Sequence, residues 1–161
     1  MWEEAVAPRR VSHDPRDFRS ALDYFPTNVY LVTTLGAGGK AEGMTINSFS
    51  SVSLDPPMIL WSLARTATSA PVFRDAEYFV VNVLAAGDEE LSSHFARSGE
   101  DKFAKYSHRF AGGVLHGAAA TFECHSRHRY YGGDHIILIG NVERYSWSDA
   151  APLVFHRGRY A

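Results

Sequence analysis

The chain has 161 residues, 45% hydrophobic, 21% charged and 13% aromatic, with a formal net charge of −2. That is the composition of one globular domain, able to bury about two-thirds of its unfolded surface, and its charge offers no general drive toward nucleic acid or anionic membrane. No apolar run approaches the roughly 20 residues of a membrane span. The single Cys124 has no intrachain disulfide partner, and Met1-Trp2-Glu3-Glu4-Ala5 lacks the positive start and apolar block of a signal peptide. A soluble cytoplasmic protein is expected.

Residues 1–15 hold Pro8, Arg9, Arg10 and Pro15 without periodicity and read as a mobile arm ahead of a domain over 16–161. Asp17 to Tyr24 reads as a short helix with Phe18, Ala21 and Leu22 on one face, ended by Pro26. Val29 to Thr34 is β-branched and aromatic, and Gly36-Ala37-Gly38-Gly39 turns it into the next strand. That glycine cluster lacks both the spacing and the Lys-Ser or Lys-Thr of a phosphate loop. Gly43 to Asp55 follows as a strand crowded with hydroxyls, and Pro56-Pro57 breaks it before the buried strand Met58 to Leu63. Ser69 reads as a helix N-cap, Tyr78 to Leu84 as a strand, and Asp88 as the cap of a helix reaching Arg97. Ser98 to Gly113 is a candidate surface loop. The last third reads as strands over 118–124, 135–145 and 153–155. Many short strands with a few short helices indicate a mainly β, antiparallel barrel.

Four segments carry groups suited to ligand chemistry. Met44-Thr45-Ile46-Asn47 places an amide, donor and acceptor at once, in a strand with unusually many polar groups; a solvated hairpin face is the plain alternative. Ser62-Leu63-Ala64-Arg65-Thr66-Ala67-Thr68 leaves a buried strand for a helix start, a reasonable anion site or simply a cap with a solvated Arg. His94-Phe95-Ala96, with Arg97 and Lys102, can cover an aromatic ligand and neutralise phosphate, or can be an ordinary helix end. Gly133-Asp134-His135 sets a His at a strand mouth, where it is either functional or a hydrogen-bonded turn residue. No metal is expected: Cys124, His125 and His128 match no closed zinc pattern. No nucleophile elbow or triad is discernible.

In order and spacing these segments resemble the short-chain flavin reductases, the reductase components of two-component flavin monooxygenases. The resemblance runs from about Asp17 to Tyr160. It rests on Phe25-Pro26-Thr27, Met44 to Phe49, Ser51-Val52-Ser53, Asp55-Pro56-Pro57, Phe95-Ala96, Phe122-Glu123-Cys124, Gly133-Asp134-His135, Ile139-Gly140 and Pro152-Leu153. Asn28 stands where family members often carry Gly.

The resemblance implies a split β-barrel that binds FMN or FAD, uses NADH or NADPH, and forms a homodimer. Met44, Thr45, Ile46 and Asn47 would line the isoalloxazine and ribityl chain. Trp61, Ser62, Leu63, Ala64, Arg65, Thr66, Ala67 and Thr68 would hold the ribityl and phosphate. His94, Phe95 and Ala96 would close over the flavin, with Lys102 reaching a phosphate. Asp134 and His135 would lie beside the nicotinamide, His135 orienting it. The implied activity is hydride transfer to flavin, which is then passed to a partner monooxygenase. A split-barrel enzyme that keeps FMN and acts on a small substrate, a non-catalytic flavin-binding protein, and a barrel without flavin remain alternatives.

Overall fold

The structure, a computed structural model, describes residues 13–99 and 101–161. Of the arm expected over 1–15, residues 1–12 lie outside the described residues, while Asp14 and Pro15 form the start of helix α1 (Pro15–Leu22). Asp14 accepts from the Arg16 N–H at 2.9 Å, and Pro15 sits in the first turn, where its missing N–H costs nothing. Helix α1 buries none of its residues, and its apolar face stays open: Phe18 is 63% exposed and Leu22 44%.

The strands are β1 (Thr27–Asn28), β2 (Tyr30–Leu35), β3 (Ala41–Ile46), β4 (Ser50–Leu54), β5 (Pro57–Ala64) and β6 (Tyr78–Val83). They continue with β7 (Phe110–Ala111), β8 (Val114–Leu115), β9 (Ala120–Gly132), β10 (His135–Trp147), β11 (Val154–His156) and β12 (Arg159–Tyr160). Helices α2 (Ala70–Asp75) and α3 (Glu89–Ala96) interrupt them. Seven strands form an antiparallel sheet in the order β3-β2-β6-β9-β10-β5-β4, beside smaller sheets β1-β11-β12 and β7-β8.

Alternation shapes the sheet. In β5, Ile59, Trp61 and Leu63 point inward while Ser62 and Ala64 face the other way. Inward side chains of β2, β3, β5, β6, β9 and β10 meet in one core around Trp61, Val32, Val81 and Leu138, so the sheet curls into a barrel. Its edge strands β3 and β4 do not pair with each other. Asn47 to Phe49 crosses between them, and Ser48 Oγ donates to the Ser62 carbonyl and accepts from the Ser62 N–H, both at 3.0 Å. The barrel is split along this line. The polar stretch expected as one strand over 43–55 is therefore two strands with a break at the residues of greatest chemical interest.

A second core lies outside the barrel, where Val29, Leu31 and Leu84 meet Leu91 and Phe95 of α3. The segment expected as a polar surface loop over 98–113 covers it. Phe103, Tyr106 and Phe110 pack around the fully buried Phe95, with ring centroids 5.0, 6.2 and 5.9 Å away. Strand β9 also runs past the expected 124 to Gly132, paired with β10 along its length. Gly140 of β10 lets Phe79 of β6 and Cys124 of β9 approach closely, since a Cβ there would stand 2.6 Å from Phe79 Cζ and 2.9 Å from Cys124 Cβ.

Candidate functional site

The hairpin turn between β9 and β10 brings Asp134 and His135 to the open end of the split. Strand register sets His135 opposite Ala64, and the Arg65 N–H donates to the Asp134 carbonyl at 3.0 Å. Arg65 Nη1 reaches the Gly133 carbonyl at 3.4 Å, and its guanidinium lies 5.5 Å from the Tyr131 ring centroid. Two segments far apart in sequence, 62–65 and 133–135, are thereby locked side by side, and the Ser48–Ser62 bonds add Asn47 and Ser48 to the group.

Of these, Asn47, Ser48, Asp134 and His135 line a cleft of about 910 Å³, the size of a cofactor pocket, while 62–65 stay outside its lining. Asn47, Ser48, Asp134 and His135 supply its polar rim, and Phe18, Leu22, Phe25 and Phe155 an apolar wall. Thr27, also in the lining, has a buried Oγ1 with no partner among the described residues. A smaller adjoining pocket of about 210 Å³ shares Asn47 and Phe155 and adds Thr45, Ile46, Ser92 and Ala96. A flat, mainly apolar ring system with a hydrogen-bonding edge fits such a cavity: the orphaned Thr27 hydroxyl and the exposed Asn47 amide both offer it partners.

The Asp134–His135 pair is the principal polar device. Asp134 Oδ1 lies 2.7 Å from His135 Nδ1. The His135 hydrogen bond, followed by its charge, holds the Asp134 carboxyl below its ordinary 3.8. An ionised carboxylate accepts only, so Nδ1 carries a proton and Nε2 is the ring's remaining polar atom.

The other predicted residues divide by strand and helix periodicity. Met44 packs against the main core and accepts from Ser69 Oγ at 4.0 Å, and Thr45 Oγ1 donates to the Ser92 carbonyl at 2.7 Å, tying β3 to α3. Trp61 and Leu63 are fully buried in the main core, so their side chains are closed to a ligand and only their backbone borders the site. Ser62 and Ala64 face outward; Arg65, Thr66 and Thr68 are exposed on the turn into α2, while Ala67 packs inward. Phe95 is likewise sealed in the second core, so among His94, Phe95 and Ala96 only Ala96 lines the cleft's adjoining pocket.

Lys102 is not free to roam. Its Nζ donates to the Gly43 and Phe95 carbonyls at 3.3 and 3.1 Å, while His94 Nε2 donates to the Lys102 carbonyl at 2.8 Å. Burial pulls the Lys102 ammonium below its ordinary value, against the opposing field of Glu42. His94 and Lys102 together border a shallow hollow of about 190 Å³ with Arg97, apart from the main cleft. This arrangement clamps the loop to β3 and α3.

Among the described residues no cluster of His, Cys, Asp and Glu is arranged to hold a metal ion, and no helix is long and apolar enough to cross a membrane. Burial, with Glu143 and Glu123 adding to it, pushes the Cys124 thiol up to about 12, leaving it a packing residue rather than a nucleophile. Sequence reasoning missed the wall formed by α1 with Thr27, Phe155, Arg157 and Gly158. The amphipathic spacing of Phe18 and Leu22 was its signal, since a helix with an apolar face and no core beneath it must border something else.

The model of the flavin reductase like domain matches residues 22–161. The chain is 40% identical over 147 residues to the FMN reductase (NADH) SmoA of Agrobacterium fabrum, covering 90% of this chain and 84% of that one. It is 38% identical over 148 residues to the reductase component of the flavin-dependent trigonelline monooxygenase of Acinetobacter baylyi, covering 90% of this chain. It spans 48%, about half, of that relative's length. The structure of the Streptomyces globisporus NADH:FAD oxidoreductase SgcE6 in complex with NAD and FAD fragments superposes with a TM-score of 0.82 at 34% identity, covering 92% of this chain and 93% of that one. The chain belongs to the family of flavin reductase like domains.

Proposed function

We propose that this chain is an NAD(P)H:flavin oxidoreductase that accepts FMN or FAD and supplies reduced flavin to a partner monooxygenase. The observation that carries the reading is the meeting of Asn47 with Asp134–His135 in one cleft large enough for stacked rings. The named activities of SmoA and of the trigonelline monooxygenase reductase support it. Flavin, when bound, supplies the acceptor for a hydride given by reduced nicotinamide, with a solvent proton completing the reduction.

The chain's own part is positioning. The Asn47 amide offers a donor and an acceptor to the pyrimidine edge of the flavin, and Met44, Thr45 and Ile46 present their backbone along the same wall. Ser62 and Ala64 border the ribityl path, while Arg65, Thr66 and Thr68 serve the phosphate. Trp61, Leu63 and Phe95 act through packing, and Ala67, His94 and Lys102 hold the framework around the site. His135, fixed by Asp134, turns Nε2 to the nicotinamide. Phe155 and the α1 face keep water from the rings, which suits a reaction governed by ring alignment rather than by a nucleophile.

A homodimer belongs to the same reading. Edge strand β4 leaves Leu54 93% exposed and Val52 45%, and an uncovered apolar sheet edge is the kind of surface that a second copy covers. A buried free Cys124 suits the cytoplasm. The test is steady-state NADH consumption by purified protein with FMN, FAD or neither added. Consumption that requires added flavin supports a diffusing flavin substrate, and none under any condition refutes the reading.

A further inference from the structure

The β11–β12 hairpin carries an anomaly that the rest of the site does not use. Its two-residue turn is Arg157-Gly158, with φ of 50° and 75°, between the paired residues His156 and Arg159. Both central residues are left-handed, the form of turn that favours Asn-Gly, Asp-Gly or Gly-Gly. Arg157 is the only residue other than glycine with positive φ among the described residues. A long side chain placed where the backbone resists it points to a use for the side chain.

Its surroundings indicate that use. Arg157 and Gly158 line the same cleft as His135, Asn47 and Phe155. The Arg157 guanidinium lies 4.7 Å from the Tyr24 ring centroid, and His156 Nε2 donates to the Tyr24 carbonyl at 3.2 Å. Stacking on one face steadies the guanidinium while leaving its N–H edges open, and no carboxylate among the described residues pairs with it. Arg19 of α1 is the second guanidinium in the lining. Of the two carboxylates there, Asp134 is engaged by His135, and Asp23 is half-buried in the lining. A steadied, unpaired fork at the rim of a cleft matches a diphosphate, whose charge and paired oxygens suit Arg better than any other side chain.

We propose that Arg157 recognises the diphosphate of the nicotinamide dinucleotide, with Arg19 adding charge, and so makes the cleft prefer dinucleotides to mononucleotides. The assignment rests on the nicotinamide site proposed above, because it is His135 that makes this the nicotinamide's cleft. FAD carries the same diphosphate chemistry, and the experiment separates the two sources.

The measurement is calorimetric binding of NAD+ and of nicotinamide mononucleotide, which lacks the diphosphate, to wild type and Arg157→Asn at saturating FMN, with FAD and FMN titrated separately into the same two proteins. Wild type should prefer NAD+. Arg157→Asn should weaken NAD+ by about three- to tenfold at low salt, and nicotinamide mononucleotide by less than about twofold. The variant should melt at the same or a higher temperature, since Asn accepts the turn's φ, so lost folding cannot explain the loss. Arg157→Lys should recover part of the affinity, as a point charge without the fork. An unchanged NAD+ preference in Arg157→Asn overturns the inference alone. So does a loss confined to FAD relative to FMN, which gives the diphosphate to the flavin. Wild type that binds neither nicotinamide compound removes the proposed function, and the inference with it.

Discussion

Asp134 Oδ1 stands 2.7 Å from His135 Nδ1, and the neighbouring Arg65 N–H holds the Asp134 carbonyl at 3.0 Å. One exposed turn residue thereby fixes the histidine's tautomer through its side chain and the turn's place through its backbone. His135→Ala should weaken NAD+ binding about tenfold and leave FMN affinity within about twofold. Asp134→Asn should give a smaller loss in the same direction, since an amide can donate to Nδ1 and so reverse the tautomer. Titration calorimetry with both ligands checks this, and equal losses of flavin and nicotinamide would make His135 a structural residue. The Asp134 carboxyl is held below 3.8, so the pair is intact above that value and is lost as pH falls through the lower folded value.

Arg65 and Thr66 sit exposed on the turn that follows β5. Arg65→Ala and Thr66→Val should each weaken FMN by about three- to tenfold while changing riboflavin, which lacks the phosphate, by less than about twofold. Fluorescence quenching titrations of the two flavins read the ratio directly. An unchanged ratio would remove both residues from the phosphate site.

For Lys102 the expected outcome is different. Its Nζ bridges two carbonyls, so Lys102→Ala should lower unfolding free energy by about 1–3 kcal/mol through the stranded acceptors. FMN and riboflavin affinity should then fall together or stay unchanged. A loss specific to FMN would restore Lys102 as a phosphate ligand.

Gly140→Ala tests the closest approach across the barrel wall. The added methyl would stand 2.6 Å from Phe79 Cζ, inside a core with no room to yield cheaply. A destabilisation of about 1–3 kcal/mol is expected by chemical denaturation. Unchanged stability would mean that Phe79 of β6 and Cys124 of β9 leave more room around Gly140 than described.

The barrel was legible because the apolar and β-branched runs at 29–34, 58–63 and 136–139 read as strands and because Pro56-Pro57 and the glycine cluster at 36–39 punctuate the chain. Asn47 was legible as an amide in an unusually polar strand, and His135 as a polar group at a strand mouth. What stayed hidden depended on long-range packing. Trp61 and Leu63 sit in a motif that touches the site, yet strand alternation turns their side chains into the core. Phe103, Tyr106 and Phe110 looked like isolated aromatics in a polar loop, and only the position of Phe95 gathers them. Helix α1 showed its apolar stripe, but its address on the cleft rather than the core follows from the barrel's closure.

The most direct measurement of the central claim is anaerobic titration of purified protein with NADH, with FMN in large excess over the chain. The account predicts that many equivalents of FMN bleach per chain, at a rate proportional to protein concentration. No bleaching, or a single equivalent bleached and then none, would contradict it.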